Sequence, residues 1–258
     1  MITSLANAAV KRIVLLQSKD KARRDEGLFI VEGARMCLEI PKTMLDQVYV
    51  TEEFLDRASA ELRDKLSETG YELVSEEVMK KMSDTISPQG ILCTVKSFNY
   101  TLEDICQKKG LFVVLDGLQD PGNLGTIFRT SEAAGVTGII CSKSTVSIYN
   151  PKSVRSTMGT LFRMPFVYVE DLVGAIQEMK DTGIEVYAAH LSNSSSYDSF
   201  DYKKPTAFII GNEGAGVSKE VADCASHYIH IPMEGSVESL NAAIAAGVLL
   251  YEAHRQRE

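Results

Sequence analysis

LFVVLDGLQDPGNLGTIFRTSEAAGVTGIICS (111–142) switches between two kinds of pattern. LFVVLDG is a short, unbroken apolar run, as in a strand covered on both faces. Gly117, Pro121 and Gly122 then set a tight turn. Asn123 stands where an N-cap would, a helix is predicted over 124–134, and Gly135 stops it. GIICS is the next strand. Two buried strands joined through a helix form a βαβ unit, which requires a parallel sheet with helices on its faces.

The pattern continues toward the C-terminus. Helix-like PKSVRSTMG, strand MPFVYV, helix DLVGAIQEMKDTG and strand IEVYAAHL follow in turn. A polar loop (192–204) separates them from strand TAFIIG, helix SKEVADCA, strand HYIHIP and a closing helix. Toward the N-terminus, polar FNYTLEDICQKKG (98–110) divides two strand–helix series. Upstream of it, GLFIVEG, QVYVT, YELVS and ILCTVKS read as strands. Helices are expected from Ser4 to Leu16, over ARMCLEI, over 53–68 and over SEEVMKKMSD. The predicted organisation is a small α/β domain over 1–98, a linker over 99–110 and a parallel-sheet domain over 111–258.

Composition is that of an ordinary globular chain, 45% hydrophobic and 24% charged. No apolar run reaches the roughly 18 residues of a membrane span. No charged start followed by a long apolar core marks a signal peptide. The five cysteines are scattered without Cys-x-x-Cys or Cys/His clustering, which argues against a disulfide framework and a zinc site and suits a reducing, cytoplasmic setting. The net charge of −8 argues by itself against polyanion binding. Yet residues 1–24 carry six Lys/Arg against one Asp, so a local basic arm, or a solvated helix face, precedes an acidic body.

Ligands of such sheets bind outside the carboxyl ends of strands. Three strands end in unusual loops: LDGLQDPGNLGTIFRTSEAAG (115–135), IIGNEGAGVS (209–218) and IPMEGSVESLNAAIAAGVLLYE (231–252). Gly211, Gly214 and Gly216 allow close backbone approach, and Asn212 and Glu213 supply polar reach. Singly, each has a plain structural reading, with Asn123 as a cap, Arg129 in a surface ion pair and Glu213 in a turn. Neither a Walker loop nor G-x-G-x-x-G is present. A pyrophosphate would be repelled by Glu213, so a cationic or neutral ligand fits better. The last helix carries Ala242, Ala243, Ala245, Ala246 and Gly247, small enough for close packing but also simply good helix formers for the most part.

These three loops resemble, in order, the three motifs of the SpoU/TrmH family of S-adenosylmethionine-dependent RNA 2′-O-ribose methyltransferases. The resemblance covers about residues 110–257 and extends to SVRSTMGTLFRMPF (153–166) between the first two motifs. KRIVLLQSKDKARRDEGLFIVEG (11–33) is similar to the small ribosomal-protein-like RNA-binding domain of many members. The resemblance implies an α/β fold of the SPOUT kind, with a deep trefoil knot in the parallel-sheet domain, and a homodimer with its active site near the subunit interface. It implies S-adenosylmethionine bound by Leu191, Gly211, Asn212, Gly214, Ile231, Met233, Ser236 and Leu240. It also implies catalysis by Asn123, Arg129, Glu213, Ser239 and Asn241. Arg129 could stabilise the forming alkoxide as a cation or act as a base after shedding its proton toward RNA phosphate. Candidates for RNA contact are Lys11, Arg12, Lys21, Arg23, Arg24, Arg35, Lys152 and Arg155. Large-subunit rRNA is the expected substrate, with tRNA the alternative. A non-catalytic RNA-binding factor on the same scaffold, or a nucleotide-dependent dehydrogenase, are the competing classes. No metal and no membrane are expected.

Overall fold

In the computed structural model, which describes every residue except 108, 109, 191, 192 and 238, the chain divides into two compact units. The first comprises Met1–Phe98 and Ser147–Phe162, the second Asn99–Val146 and Arg163–Glu258.

The first unit is built on a four-stranded sheet of β1 (Leu28–Glu32), β2 (Leu45–Val50), β3 (Glu72–Leu73) and β4 (Ile91–Lys96), in the order β1-β4-β2-β3. β4 runs antiparallel to β1 and β2, and β3 parallel to β2. Helix Ala8–Ser18 begins where the Asn7 side chain accepts from the Ala9 N–H at 2.8 Å. Its Val10, Ile13 and Leu16 share one core with Leu28, Ile30, Val78, Met79 and Met82. A second helix, Asp20–Glu26, follows at once and ends on Gly27 in the left-handed region. The single helix predicted over 53–68 is two, Glu52–Arg57 and Ala60–Thr69. Ala58 turns extended, and Ser59 restarts the helix by accepting from the Leu62 N–H.

A piece of the later sequence completes this unit. Helix Pro151–Thr157 starts at an Asn150 cap and packs on β1. Phe98 N–H donates to the Tyr149 hydroxyl at 2.8 Å, and the Phe29 and Tyr149 rings lie 4.8 Å apart.

The second unit holds seven strands: β5 (Leu111–Leu115), β6 (Gly138–Ser142), β7 (Phe166–Val169), β8 (Glu185–Ala189), β9 (Ser195–Ser196), β10 (Thr206–Ile210) and β11 (His227–His230). All pair in parallel, in the order β7-β6-β5-β10-β8-β11-β9. Phe112, Val114, Ile140, Val186, Ala207 and Ile209 form a core on one face with Ile176 and Met179 of helix Leu172–Asp181. Helix Ala242–Arg257 lies against β10 and against helix Pro121–Ala133. From β5 the chain steps outward through β6 and β7, and then crosses to the far side of β5. The carboxyl ends of β5 and β10 therefore adjoin where the strand order reverses, which is where open α/β sheets bind ligands.

The polar stretch 98–110 contains helix Leu102–Cys106, opened by a Thr101–Asp104 capping box. Its Ile105 is buried in the second unit's core. Among the described residues, no helix is long and apolar enough to cross a membrane. Ile105→Ala should destabilise the chain by about 2–5 kcal/mol, read as a lower urea midpoint. An unchanged midpoint would mean that this helix only tethers.

Candidate functional site

Three loops of the second unit converge, and the direction of each hydrogen bond between them is determined. The first loop leaves β5 at Asp116, whose Oδ2 accepts from the Ser218 N–H at 2.8 Å. Gly117 then turns with φ +71, a conformation that only glycine adopts freely, and its N–H donates to Ser142 Oγ at 2.9 Å. The helix begins at Pro121 rather than at 124. Asp120, not Asn123, is its cap: Asp120 Oδ1 accepts from the Asn123 N–H at 2.7 Å. Proline presets the first helical residue, which makes the aspartate just before it the cap. Asn123 thus sits in the first turn, with its side chain available.

That side chain links the other two loops. Asn241 caps the final helix, its Oδ1 accepting from the N–H groups of Ala243 at 2.9 Å and Ile244 at 3.3 Å. The Asn241 amide must therefore present Nδ2, which donates to Asn123 Oδ1 at 3.0 Å. Asn123 in turn presents Nδ2, which donates to Glu213 Oε1 at 3.0 Å. Glu213 also accepts from the backbone N–H groups of Gln119 at 3.0 Å and Asp120 at 2.9 Å. Burial alone would raise the Glu213 pKa. The Asn123 donor and these backbone N–H groups outweigh it and hold the carboxyl below its usual range.

The second loop closes on itself. Asn212 Oδ1 accepts from Gly214 and Ala215 N–H groups at 2.9 and 3.0 Å, while its Nδ2 donates to the Gly117 carbonyl at 2.9 Å. A Cβ on Gly211 would fall 2.1 Å from the Gly216 carbonyl carbon and 2.2 Å from the Val217 nitrogen. No side chain fits there. Beside the loop lies a cavity of about 460 Å³ lined by the second and third loops, the ends of β8 and β11, and the Ala242, Ala245 and Leu249 side of the final helix.

Of the expected cofactor residues, Gly211, Asn212, Gly214, Ile231, Met233 and Leu240 line this cavity, as do Glu213 and Ser239. Ser236 is exposed and not part of the lining. Leu191 lies outside the described residues. Arg129 is exposed on the helix that carries Asn123 and makes no hydrogen bond or ion pair among the described residues. It lies about 240° around the helix from Asn123 at 100° per residue. One chain therefore unites Asn123, Glu213 and Asn241 but not Arg129. Sequence reasoning missed Asp120, although Asp-Pro before an apolar run is a cap signal. It also missed His190 and His230, which line the cavity and are marked only by their place at strand ends. No group of three or more His, Cys, Asp and Glu among the described residues could hold a metal.

The basic residues of the first unit fall at two ends of its sheet. Lys11, Arg12, Lys21 and Arg24 lie on helices near the starts of β1 and β2, where Arg12 pairs with Glu26 and Asp46 and Arg24 with Asp20. Arg35 follows the end of β1, and Arg155 bonds Asp84 ahead of β4 at 2.9 Å. Lys152 is exposed. Arg23 does not fit the expected set. It is 5% exposed and donates to the Leu16 and Gln17 carbonyls, fastening its own helix instead of facing solvent.

The SpoU rRNA Methylase family model matches residues 110–251, and that of the MRM3-like substrate binding domain matches residues 7–93. The chain is 32% identical to the 23S rRNA (guanosine(2553)-2′-O)-methyltransferase RlmP of Bacillus subtilis, over 97% of each chain. Its structure is similar to that of an AdoMet-bound rRNA methyltransferase from Sinorhizobium meliloti, with TM-score 0.84 and 34% identity over 98% of this chain and 97% of that one. It is also similar to the SpoU methyltransferase AviRb from Streptomyces viridochromogenes in complex with AdoMet, with TM-score 0.87 and 29% identity over 97% of this chain and 98% of that one.

The lowered Glu213 pKa fixes the sign of a pH effect. A carboxyl depressed on folding stabilises the fold above its unfolded pKa, and that contribution fades as pH falls through the folded value. Wild type should exceed Glu213→Gln in urea midpoint at pH 7, and the gap should close below about pH 4. A gap that persists at pH 3 would contradict the clamp.

Proposed function

The chain belongs to the SpoU rRNA methylase family, and we infer that it transfers a methyl group from S-adenosylmethionine to a ribose 2′-hydroxyl of large-subunit rRNA. The observation that carries this reading is the directed Glu213–Asn123–Asn241 chain at the edge of the cavity. The relatives support it: the B. subtilis one is a 23S rRNA 2′-O-methyltransferase by name, and both compared structures hold AdoMet.

The cavity suits that cofactor. Its described lining contains no Lys or Arg to receive a phosphate, and the carboxylate of Glu213 stands on it. A sulfonium cation is favoured beside such a charge and a pyrophosphate disfavoured. When bound, the cofactor supplies the activated methyl group. Gly211, Ile231 and Leu240 hold it through backbone groups, with Asn212, Gly214 and Met233 completing the wall. Asn123, its amide fixed on both sides, orients the ribose, and Ser239 adds a hydroxyl from the cavity wall. Glu213 remains ionised and anchors Asn123.

The 2′-hydroxyl is a weak acid whose developing charge needs compensation as its proton leaves to solvent. A guanidinium keeps its proton in proteins. Arg129 therefore acts as a cation on the forming alkoxide and the neighbouring phosphate. Because Arg129 faces away from its own Asn123, it acts in the site of a second copy. Ile244 and Tyr251 on the final helix, 56% and 50% exposed, support a homodimer there. The SPOUT trefoil knot belongs to the same proposal, supported by the likeness to solved SpoU methyltransferase structures. Lys11, Arg12, Lys21, Arg24, Arg35, Lys152 and Arg155 remain the RNA-contact candidates. Five free thiols suit a cytoplasmic setting.

The test is transfer of radiolabel from S-adenosylmethionine to total RNA of a strain lacking this gene, separated by size. Label should enter large-subunit rRNA at one alkali-resistant position. Arg129→Ala should lower turnover about 100-fold or more with cofactor affinity and fold retained. Label in tRNA would reassign the substrate. Cofactor-independent RNA binding with no label anywhere would favour a non-catalytic factor.

A further inference from the structure

The first unit stiffens one loop and leaves its apex bare. Asp84–Gly90 joins helix Glu76–Met82 to β4. Ile86 in this loop is 96% exposed, well above any other large apolar side chain described. A lone exposed apolar residue is ordinary on a protein surface, but a floppy loop would be the cheapest place for one, and this loop is not floppy. Ser83 and Thr85 hydroxyls donate to Glu32 Oε1 at 2.5 and 2.6 Å. Gln89 Oε1 accepts from the Ala34 N–H at 2.9 Å, and Arg57 donates to the Gln89 carbonyl at 3.0 Å. Arg155 bonds Asp84 at 2.9 Å. Gly90, at φ +90, would place a Cβ 2.8 Å from both Phe54 Cβ and Thr51 Oγ1, so the loop is seated directly on the sheet end.

The braces also bring charge. Arg57 and Arg155 touch the loop directly, Arg35 follows the residue that Gln89 binds, and Lys80 and Lys81 end the helix leading into it. Asp84, Glu39 and Glu53 pair with three of these cations. Such exposed pairs are weak enough to exchange for a phosphate.

We propose that Ile86 is an apolar platform for one unstacked nucleobase of the substrate RNA, with the arginines around it taking the flanking phosphates. This rests on the RNA-methyltransferase reading above and names where that RNA is gripped. RNA recognition splays out single-stranded bases and stacks them on aromatic rings or guanidinium planes, and in DNA apolar wedges including Ile serve at unstacked base steps. A loop already ordered loses little entropy when it binds.

The experiment uses the full-length protein, deproteinised bacterial 23S rRNA and labelled S-adenosylmethionine. Ile86→Ala should raise both the Kd for this RNA and its KM about five- to tenfold, with kcat, cofactor affinity and thermal midpoint unchanged. Ile86→Phe should bind at least as well as wild type. The log–log salt slope of Ile86→Ala should match wild type, whereas Arg35→Gln should lose about 0.7 of slope. Wild-type affinity and KM in Ile86→Ala, with RNA methylation intact, would overturn the platform alone. Absence of both binding and methylation in wild type would overturn the RNA reading and the platform with it. Normal binding to free rRNA, with a defect seen only on protein-containing ribosomal particles, would assign Ile86 to a protein partner and overturn the proposal.

Discussion

The second unit depends on a carboxylate that must stay ionised. Glu213 has no proton to give, so it can only receive, and what it receives sets the orientation of the groups around it. Asn123 must turn its amide nitrogen toward Glu213, which leaves its oxygen for Asn241. Asn241 must spend its own oxygen on the first turn of the last helix. A glutamine at 213 would leave the first of these orientations open. With glutamate, each amide has one arrangement that satisfies every partner, and three loops distant in sequence are held in one geometry. Burial of the carboxyl works against this, and the donors prevail because two of them are backbone N–H groups at the start of a helix, where negative charge is favoured.

The sheet makes that meeting possible. Parallel strands place all their carboxyl ends on one side, so the loops after β5 and β10 meet there, with the cavity beside them at the ends of β8, β10 and β11. The small residues of the last helix then have a spatial purpose. Ala242 and Ala245 form part of the cavity wall, and Gly247 lies where an added Cβ would make only ordinary contact with Thr130, at 3.7 Å. A larger residue at 245 would fill the space that a ligand needs.

Much of this was legible in the chain. Apolar runs and glycine stops located the strands, and the resemblance at the three loops pointed to residues that line the cavity. The cap of helix Pro121–Ala133 is hard to read from sequence because Asn and Asp are both good caps. The adjoining proline decides between them. Arg23 was expected at the surface because a run of basic residues carries no record of which one points inward. The split at Ala58–Ser59 escaped notice because both halves keep the same apolar stripe. Least legible was the placement of Ser147–Phe162. Periodicity shows that a helix has an apolar face, but not which core receives it, and 147–162 lies between strands of one sheet while packing in the other unit.

That placement bears on how such proteins can be recombined. The backbone passes from one body to the other after Phe98, after Val146 and after Phe162. A gene fragment ending at Phe98 would encode a first body stripped of the helix that covers β1 and of the partner of Phe29. The reciprocal fragment would carry that helix with nothing to cover. The two bodies are separate in their cores yet not separable by a single cut. A graft of this first unit onto a relative's second unit would have to import both segments together.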